Sequence, residues 1–345
     1  MCGIIAVLRR PSLRAVPGAH ELTARLGRAE AIVGAEDLSG DPESLIVELT
    51  GAAEEIEALE RALLGPPGIA RLISDGELSG VLDRGAGGLG ERVLLLERDL
   101  DAGRVDAGDR EVEAINAAIV RLKDALWAVH RDRLPAARAV EALAGRGAGR
   151  AALEAFASVQ VALSALDRLE VRGRDSAGLH LLVTGHGLSL DDPAVNSEIE
   201  ERARDQLFCS MAVRRVGGAL SFVYKAAAEI GELGDNTRVL RDAISGDGLL
   251  ARALASETAE AAVLGHTRWA SVGLISEPNA HPLNHEEEGE GGGDGPYVAA
   301  ALNGDVDNYD ELMAAEGLRF APEITTDAKI IPALVSRRVR EGQAP

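Results

Sequence analysis

The hydrophobic positions in the first half of the chain repeat at helical spacing. A short apolar run over residues 3–8 predicts a strand that is buried on both faces. Beyond it, apolar residues over 45–63 and over 112–129 recur at alternating steps of three and four, with charged residues between them. Two such series indicate antiparallel helices, so residues 11–150 are predicted to form a helical subdomain.

From residue 171 onward the pattern changes to short apolar runs bounded by Gly, Asn and Asp. Such runs predict strands, and they fall at residues 177–183, 220–224, 261–264 and 297–302. Helices are predicted just before these strands, over about 150–170, and among them, within 229–255. The acidic, glycine-rich stretch 285–295 contains no apolar residue and is predicted to be an exposed loop.

Three local signals refine the helical region. Asp41, followed by Pro42 and an acidic residue, is typical of a helix start. The Gly-Pro-Pro-Gly sequence at 65–68 predicts the end of the same helix. Residues 85–90 match the Gly-x-Gly-x-x-Gly pattern of dinucleotide-binding loops, but no strand precedes them, so they are interpreted as a flexible loop.

Composition and charge exclude several classes of protein. A length of 345 residues is typical of about two domains, and 46% apolar residues are enough for a buried core. The formal charge of −20, without a basic run, disfavours binding to nucleic acid or to an anionic membrane. No apolar stretch approaches the roughly 18 residues of a membrane-spanning helix. Cys2 and Cys209 are the two cysteines, which argues against a disulfide scaffold and favours a cytoplasmic location.

Cys2 is the first candidate for chemistry. Removal of Met1, which is usual before a small residue, would leave Cys2 with both a thiol and an α-amine. An α-amine titrates at about pH 8 and can accept the thiol proton, so one residue would serve as nucleophile and base. The alternative is that Cys2 is a small apolar residue at the start of a strand.

A second group of candidates follows the predicted strand at 261–264. Arg268 and Ser271 come directly after it, and together they can bind a carboxylate. The alternative is a surface arginine that stacks on Trp269.

Asn303 and Gly304 follow another predicted strand. The Asn303 amide and the Gly304 backbone N–H can donate together to a developing oxyanion, although the same pair also suits a type I′ hairpin turn. Asp327 either caps the helix that follows it or offers a carboxylate to a substrate ammonium. Residues 172–178 are typical of a turn between a helix and a strand.

These motifs resemble those of the class II glutamine amidotransferases, which are N-terminal-nucleophile hydrolases, and their order and spacing agree from Arg172 onward. The nearest member is the glutaminase domain of glutamine–fructose-6-phosphate aminotransferase. The resemblance rests on Cys-Gly-Ile-Ile at 2–5, Arg-Gly-x-Asp-Ser-Ala-Gly at 172–178, His-Thr-Arg-Trp-Ala at 266–270, Asn-Ala-His-Pro at 279–282, Asn-Gly at 303–304 and Thr-Asp at 326–327. Trp269 favours the aminosugar branch, whereas Ser-Val at 271–272 departs from its Thr-His pair.

The resemblance implies a reaction. Cys2 would attack the side-chain amide of L-glutamine and form a γ-glutamyl thioester, with Asn303 and Gly304 as the oxyanion hole. Ammonia would leave, and water would then release glutamate. Neither a cofactor nor a metal is expected.

The resemblance also implies the binding residues. Arg268 would hold the substrate α-carboxylate and Asp327 its α-ammonium, with an added hydrogen bond from Ser271. Trp269 would cap the site on the side where ammonia leaves, and Arg172 would orient the N-terminal residue. One cation and one anion at opposite ends of the site suit a zwitterionic substrate.

The implied fold is α+β, a four-layer αββα sandwich made by residues 1–10 and 151–340. Residues 11–150 would be an inserted helical subdomain, and 341–345 a linker or cut end. The acceptor is expected to be fructose 6-phosphate, on a domain or partner subunit absent from this sequence, and a homo-oligomer is expected. Two alternatives stay open: a glutaminase that serves a different acceptor, and a non-catalytic glutamine-binding scaffold that uses the insertion as its interface.

Overall fold

The computed structural model describes residues 2–34, 41–227, 232–288 and 295–344. The chain groups into two compact units. Unit 1 contains Met1–Pro11 and Leu143–Pro345, and unit 2 contains Ser12–Ala142. Unit 1 mixes helices and strands, whereas the regular elements of unit 2 in the described residues are helices.

Unit 2 is built from helices that bury aliphatic side chains. They are α1 Ala19–Val33, α2 Pro42–Leu63, α3 Gly65–Ser74, α4 Gly76–Asp101, α5 Asp109–Trp127, a π-helical segment Ala128–Arg133, and α6 Leu134–Ala144, whose last two residues belong to unit 1. The predicted series at 45–63 and 112–129 supply the buried faces of α2 and α5, which pack against each other. The Asp41 carboxylate accepts a hydrogen bond from the Ser44 backbone N at 3.3 Å, which confirms the predicted helix start.

Of two predictions about glycine-rich stretches of unit 2, one is confirmed and one is wrong. α2 ends at Leu63 as predicted, but α3 begins at Gly65 because a proline suits the first turn of a helix. The stretch 85–90 is not a flexible loop, since it lies inside α4. A Cβ on Gly85 would lie 2.5 Å from Leu26 Cδ2, so the absent side chain allows α4 to approach α1 closely.

Unit 1 is built around a five-stranded antiparallel sheet. Its strands are β1 Gly3–Val7, β2 Ser176–Thr184, β3 Val213–Val216, β4 Ala219–Ala226 and β5 Glu260–Arg268, in the order β1-β5-β2-β4-β3. A second sheet pairs two short antiparallel strands, β6 Leu283–Asn284 and β7 Ala299–Ala300. Helices combined with antiparallel sheet confirm the α+β class. The strand predicted over 297–302 is reduced to the two residues of β7.

Helices cover one face of the five-stranded sheet. The helices of unit 1, not all of which lie on this face, are α7 Arg150–Leu169, α8 Pro193–Ala203, α9 Asp235–Ser245, α10 Gly248–Leu254, α11 Tyr309–Glu316 and α12 Ile330–Arg340. There are also 3-10 turns at Glu277–Asn279 and Asp327–Lys329. α7 packs on β1 and β5, and α9 packs on β2 and β4. The opposite face, which carries Gly178 and His266, lies against the segment before β6, because the His281 carbonyl fills the space beside Gly178. α12 packs against β6 and β7.

The helix predicted within 229–255 is confirmed as α9, and α10 follows it. Residues 229–231 of that range lie outside the described part of the chain. Within the described ranges, no helix has the length and apolar character needed to cross a membrane.

The acidic stretch 285–295 is partly built into the fold, contrary to the prediction of an exposed loop. Glu286 forms an ion pair with Arg214 at 2.5 Å. Burial is the largest single effect and would raise the pKa of Glu286. The hydrogen bond and charge of Arg214, together with smaller effects of Asn284 and Lys329, lower the pKa in sum. Residues 289–294 lie outside the described residues.

Candidate active site

The antiparallel pairing brings three chain segments to one edge of the five-stranded sheet. In the register of β1 and β5, Gly3 lies opposite Thr267, so Cys2 lies beside the end of β5. In the register of β2 and β5, Ser176 lies opposite Arg268. The start of β1, the end of β5 and the start of β2 therefore meet, and each carries one of the sequence motifs.

Cys2 contacts residues that are far away in the sequence. Its backbone N lies 3.3 Å from Oδ1 of Asn303 and donates a hydrogen bond to it. Its Sγ lies 3.4 Å from the backbone N of Trp269 and 3.7 Å from the Trp269 carbonyl oxygen. The thiol is thus held between the end of β5 and the loop that carries Asn303. With Oδ1 used as the acceptor, Nδ2 of Asn303 serves as the donor.

The loop that carries Asn303 is anchored by the residue before it. The Leu302 carbonyl oxygen accepts a hydrogen bond from His266 Nε2 at 3.0 Å, and the Leu302 N–H donates to His281 Nδ1 at 3.3 Å. Gly304 has a φ of +156°, a conformation that glycine adopts more readily than other residues. Both candidate oxyanion donors therefore follow a residue whose two backbone polar groups are paired.

Arg268 supplies a buried positive charge. Its side chain donates to the Leu274 carbonyl oxygen at 2.8 Å and also to the Val272 carbonyl oxygen, and the residue is 3% exposed. Burial lowers the pKa of Arg268, while the nearby Cys2 and Asp327 act in the opposite direction. The guanidinium therefore lies within electrostatic range of the thiol and of the predicted ammonium-binding carboxylate.

Asp327 and Ser271 are tied to the Asn303 loop. Asp327 begins a 3-10 turn, is 5% exposed, and accepts a hydrogen bond from the Val306 backbone N at 2.6 Å. Ser271 Oγ donates to Asp305 Oδ1 at 2.5 Å. These two bonds connect the segment after β5 and the Asp327 turn to the same loop.

Two of the predicted residues lie at the surface. The Trp269 side chain is 56% exposed beside Cys2. Arg172 is also exposed, and in the described part of the chain no hydrogen bond joins its side chain to Cys2. Its role in orienting the N-terminal residue stays a prediction.

Three residues that hold the site together have no role predicted from the sequence. His266 and His281 bind the backbone of Leu302, and Asp175 Oδ2 accepts a hydrogen bond from the Ala270 backbone N at 2.7 Å. The sequence signal that could have identified them is that each lies inside one of the motifs at 172–178, 266–270 and 279–282. Among the described residues, no group of three or more His, Cys, Asp and Glu side chains could hold a metal ion.

The arrangement combines four chemical functions at one edge of the sheet. Cys2 offers a nucleophilic thiol, and Asn303 with Gly304 offers hydrogen-bond donors to an oxyanion. Arg268 and Asp327 offer a cation and an anion, which is the pair that a zwitterion needs.

Curated proteins with similar sequences include several named glutamine–fructose-6-phosphate aminotransferase (isomerizing). That of Chlamydia pneumoniae is 40% identical over 90 residues, which is 25% of this chain. Those of Mycolicibacterium smegmatis and Mycobacterium tuberculosis are 29% and 27% identical over 185 and 186 residues, which is 53% of this chain. The similarity spans 13% of the first relative and 21% of the other two.

The similarity to these relatives supports a relationship to that family. No family model matches the chain. No solved structure matches it either.

Proposed function

We propose that the chain hydrolyses the side-chain amide of L-glutamine through Cys2 and supplies the ammonia to an acceptor. The observation that carries this proposal is the hydrogen bond between Cys2 and Asn303, which are 301 positions apart in the sequence. The fold brings the candidate nucleophile to the candidate oxyanion donor. The names of the similar proteins support the same substrate, since each name contains glutamine.

The proposed reaction begins with the loss of Met1, which makes the Cys2 nitrogen an α-amine. The amine takes the thiol proton, and the thiolate attacks the δ-carbon of glutamine. The bond to the amide nitrogen then breaks, and the amine returns the proton to the leaving nitrogen. Ammonia and a γ-glutamyl thioester result. Water cleaves the thioester, which gives glutamate and restores the thiol.

The tetrahedral intermediate needs hydrogen-bond donors for its oxyanion. Oδ1 of Asn303 faces the Cys2 nitrogen, so Nδ2 of Asn303 is the side-chain donor in this proposal. The Gly304 N–H is the second donor. Donors that are already in position stabilise the charge without reorganising at the moment of reaction.

The remaining residues bind the two ends of glutamine. Arg268 binds the α-carboxylate with guanidinium hydrogens that remain beside its two backbone bonds, since a guanidinium has five N–H donors. Asp327 binds the α-ammonium, and Ser271 adds a hydrogen bond. Trp269 covers the site beside the thiol, and Arg172 orients the N-terminal residue.

We also propose that unit 1 is a four-layer αββα sandwich of the N-terminal-nucleophile type. The packing order supports this proposal. α7 and α9 pack on one face of the five-stranded sheet, the segment leading into β6 lies against the other face, and α12 packs on β6 and β7.

The proposed acceptor is fructose 6-phosphate, because the names of the similar proteins include it. It would be bound by a domain or subunit outside these 345 residues. A different acceptor is the second candidate, and the Ser-Val pair at 271–272 favours it, because the aminosugar branch has Thr-His there.

The experiment is an intact-mass measurement on protein with its native N-terminus, before and after treatment with 6-diazo-5-oxo-L-norleucine, an electrophilic glutamine analogue. We expect loss of Met1 and a single adduct. Cys2→Ala should form none. Cys209→Ala is the matched control and should still form the adduct, because burial raises the pKa of Cys209 to about 11 and keeps that thiol protonated.

A retained Met1 would contradict the proposal, because the α-amine would then not belong to Cys2. Absence of an adduct on the folded wild-type protein would contradict it as well. Either result would favour the non-catalytic glutamine-binding scaffold.

A further inference from the structure

The backbone of Leu302 is held by side chains instead of a strand partner. In the two-stranded sheet, Leu283 pairs with Ala300 and the pairing stops there, two residues before Leu302. A polar backbone group that leaves a sheet needs another partner. The Leu302 carbonyl oxygen and N–H find theirs in His266 and His281, at 3.0 Å and 3.3 Å.

The two histidines form a buried pair with tilted rings. His266 is 0% exposed and His281 is 4% exposed. Their ring centroids lie 4.4 Å apart, with an angle of 33° between the ring planes. His266 belongs to β5, and His281 belongs to the segment before β6, so the pair connects Leu302 to both sheets.

The hydrogen bonds fix the proton on each ring. A carbonyl oxygen accepts, so Nε2 of His266 must carry a hydrogen; the Leu302 N–H donates, so Nδ1 of His281 must carry none. His281 is therefore neutral with the hydrogen on Nε2, and His266 is in the same state when its Nδ1 is bare. Burial favours this state, because it lowers the pKa of His266 to about 4 and that of His281 well below its ordinary value.

We propose that His266 and His281 are positioning residues of the oxyanion hole. By fixing both backbone groups of Leu302, they set the positions of the Asn303 amide and the Gly304 N–H relative to the Cys2 thiol. This inference rests on the proposed function. A displacement of about 1 Å in a catalytic group can cost about a hundredfold in rate, so an anchor directly before the two donors matters.

Two ligands separate positioning of the hole from general binding. L-Glutamate γ-semialdehyde carries an aldehyde where glutamine has its amide. The Cys2 sulfur bonds to the aldehyde carbon, the carbonyl π bond opens, and the oxygen occupies the oxyanion position and takes up the thiol proton. L-Glutamate offers the same two charged ends but forms no such adduct.

The variants change one hydrogen bond at a time. His281→Leu removes the acceptor for the Leu302 N–H, whereas His281→Asn places Oδ1 where Nδ1 lies and can replace it. We expect His281→Leu to lower both the affinity for the semialdehyde and kcat by about tenfold or more. The affinity for glutamate and the KM for glutamine should stay within about twofold of the wild-type values. His281→Asn should recover most of the loss. His266→Leu and His266→Gln form the equivalent pair, since the Gln Nε2 can donate.

The outcomes separate this inference from the proposed function. Asn303→Ala serves as the reference, because it removes a donor directly. If wild-type protein binds the semialdehyde no better than glutamate, the proposed function fails and this inference fails with it. If Asn303→Ala loses semialdehyde affinity but His281→Leu matches wild type, this inference alone is overturned. Equal weakening of both ligands in His281→Leu would indicate a structural role and would also overturn it.

A measurement on the wild-type protein needs no variant to fold. Nitrogen-15 spectra of labelled histidine distinguish a bare ring nitrogen from a protonated one, and the chain has seven histidines. At pH 7, His266 and His281 should both be neutral with the hydrogen on Nε2. A hydrogen on Nδ1 of His281, or a bare Nε2 on His266, would overturn the inference. The conservative His266→Gln and His281→Asn variants assign the two signals by their disappearance.

Discussion

Gly178 is the position where one added methyl group tests how the two sheets pack. It lies in β2, opposite Lys225 of β4 and His266 of β5. A Cβ at this position would lie 2.1 Å from the His281 carbonyl oxygen, whereas ordinary contacts begin at 3.4 Å. In Gly178→Ala, the strand and the His281 segment must therefore separate by about 1.3 Å.

The size of the effect follows from what surrounds that Cβ. Overpacking a core costs about 1–3 kcal/mol, and the obstacle here is a backbone carbonyl that no side-chain rotation can move. We expect the upper end, about 3 kcal/mol of lost unfolding free energy. For a unit of this size each kcal/mol changes Tm by about 2–4 °C, so Tm should fall by about 6–12 °C.

The assay uses the position of the two tryptophans. Trp269 lies in unit 1 and the 63%-exposed Trp127 lies in unit 2, so Trp127→Phe leaves Trp269 fluorescence as a probe of unit 1. Urea unfolding is then compared for Gly178→Ala and for Gly218→Ala. A Cβ on Gly218 meets no atom within 4 Å, and this control should change stability by less than about 0.5 kcal/mol. Equal stability of the two variants would refute the described packing of the His281 segment on β2.

Two further predictions also concern stability. Burial lowers the pKa of His180 from 6.5 to about 4, so the unfolded chain binds the proton first and stability falls as the pH drops from about 6.5 to about 4. At about 1.4 kcal/mol per pH unit, the unfolding free energy lost over this range is about 3 kcal/mol. Urea titrations of His180→Leu at several pH values should lack this part of the pH dependence. A pH dependence equal to that of the wild-type protein would contradict the prediction. In α4, Gly88→Ala should raise the unfolding free energy by up to about 1 kcal/mol, and with it Tm, because no atom lies within 4 Å of the added Cβ. Gly85→Ala should lower Tm, because its Cβ would clash with Leu26. Equal Tm values for the two variants would count against the described packing of α4 on α1.

The helices of unit 2 are predictable where their signals are local. The Asp41 cap and the spacing of apolar residues over 45–63 describe α2 well, because both depend on residues within one or two turns. The stretch 85–90 is wrongly predicted to be a loop, because its conformation depends on packing against a helix distant in sequence. Glycine has low helix propensity, but packing of α4 on α1 overrides it.

The candidate site is only partly predictable, because its anchors are distant in sequence. The motifs indicate Cys2 and Asn303 as chemical groups. The local pattern also predicts a strand over 297–302, yet pairing ends at Ala300. The hydrogen bonds that then hold Leu302 come from residues 36 and 21 positions away. No local periodicity carries that information, since it depends on how β5 and the segment before β6 meet.

The two units differ in the ionisable groups that they bury, and this difference decides where acid meets a buried base. In the described part of unit 2 every buried side chain is apolar, and ion pairs such as Arg28–Glu55 lie at its surface. Unit 1 buries bases, and burial favours their neutral form: it lowers the pKa of Lys225 to about 7 and that of His266 to about 4.

A buried neutral base is protonated more readily in the unfolded chain, so its contribution to stability is lost as the pH falls. For Lys225 the stability is lost as the pH falls from 10.5 to about 7, and for His266 as it falls from 6.5 to about 4. His266 also holds the backbone of Leu302. Mild acid therefore acts on the fold of unit 1 and on the candidate oxyanion loop through the same imidazole, whereas the described part of unit 2 offers it no buried base to protonate.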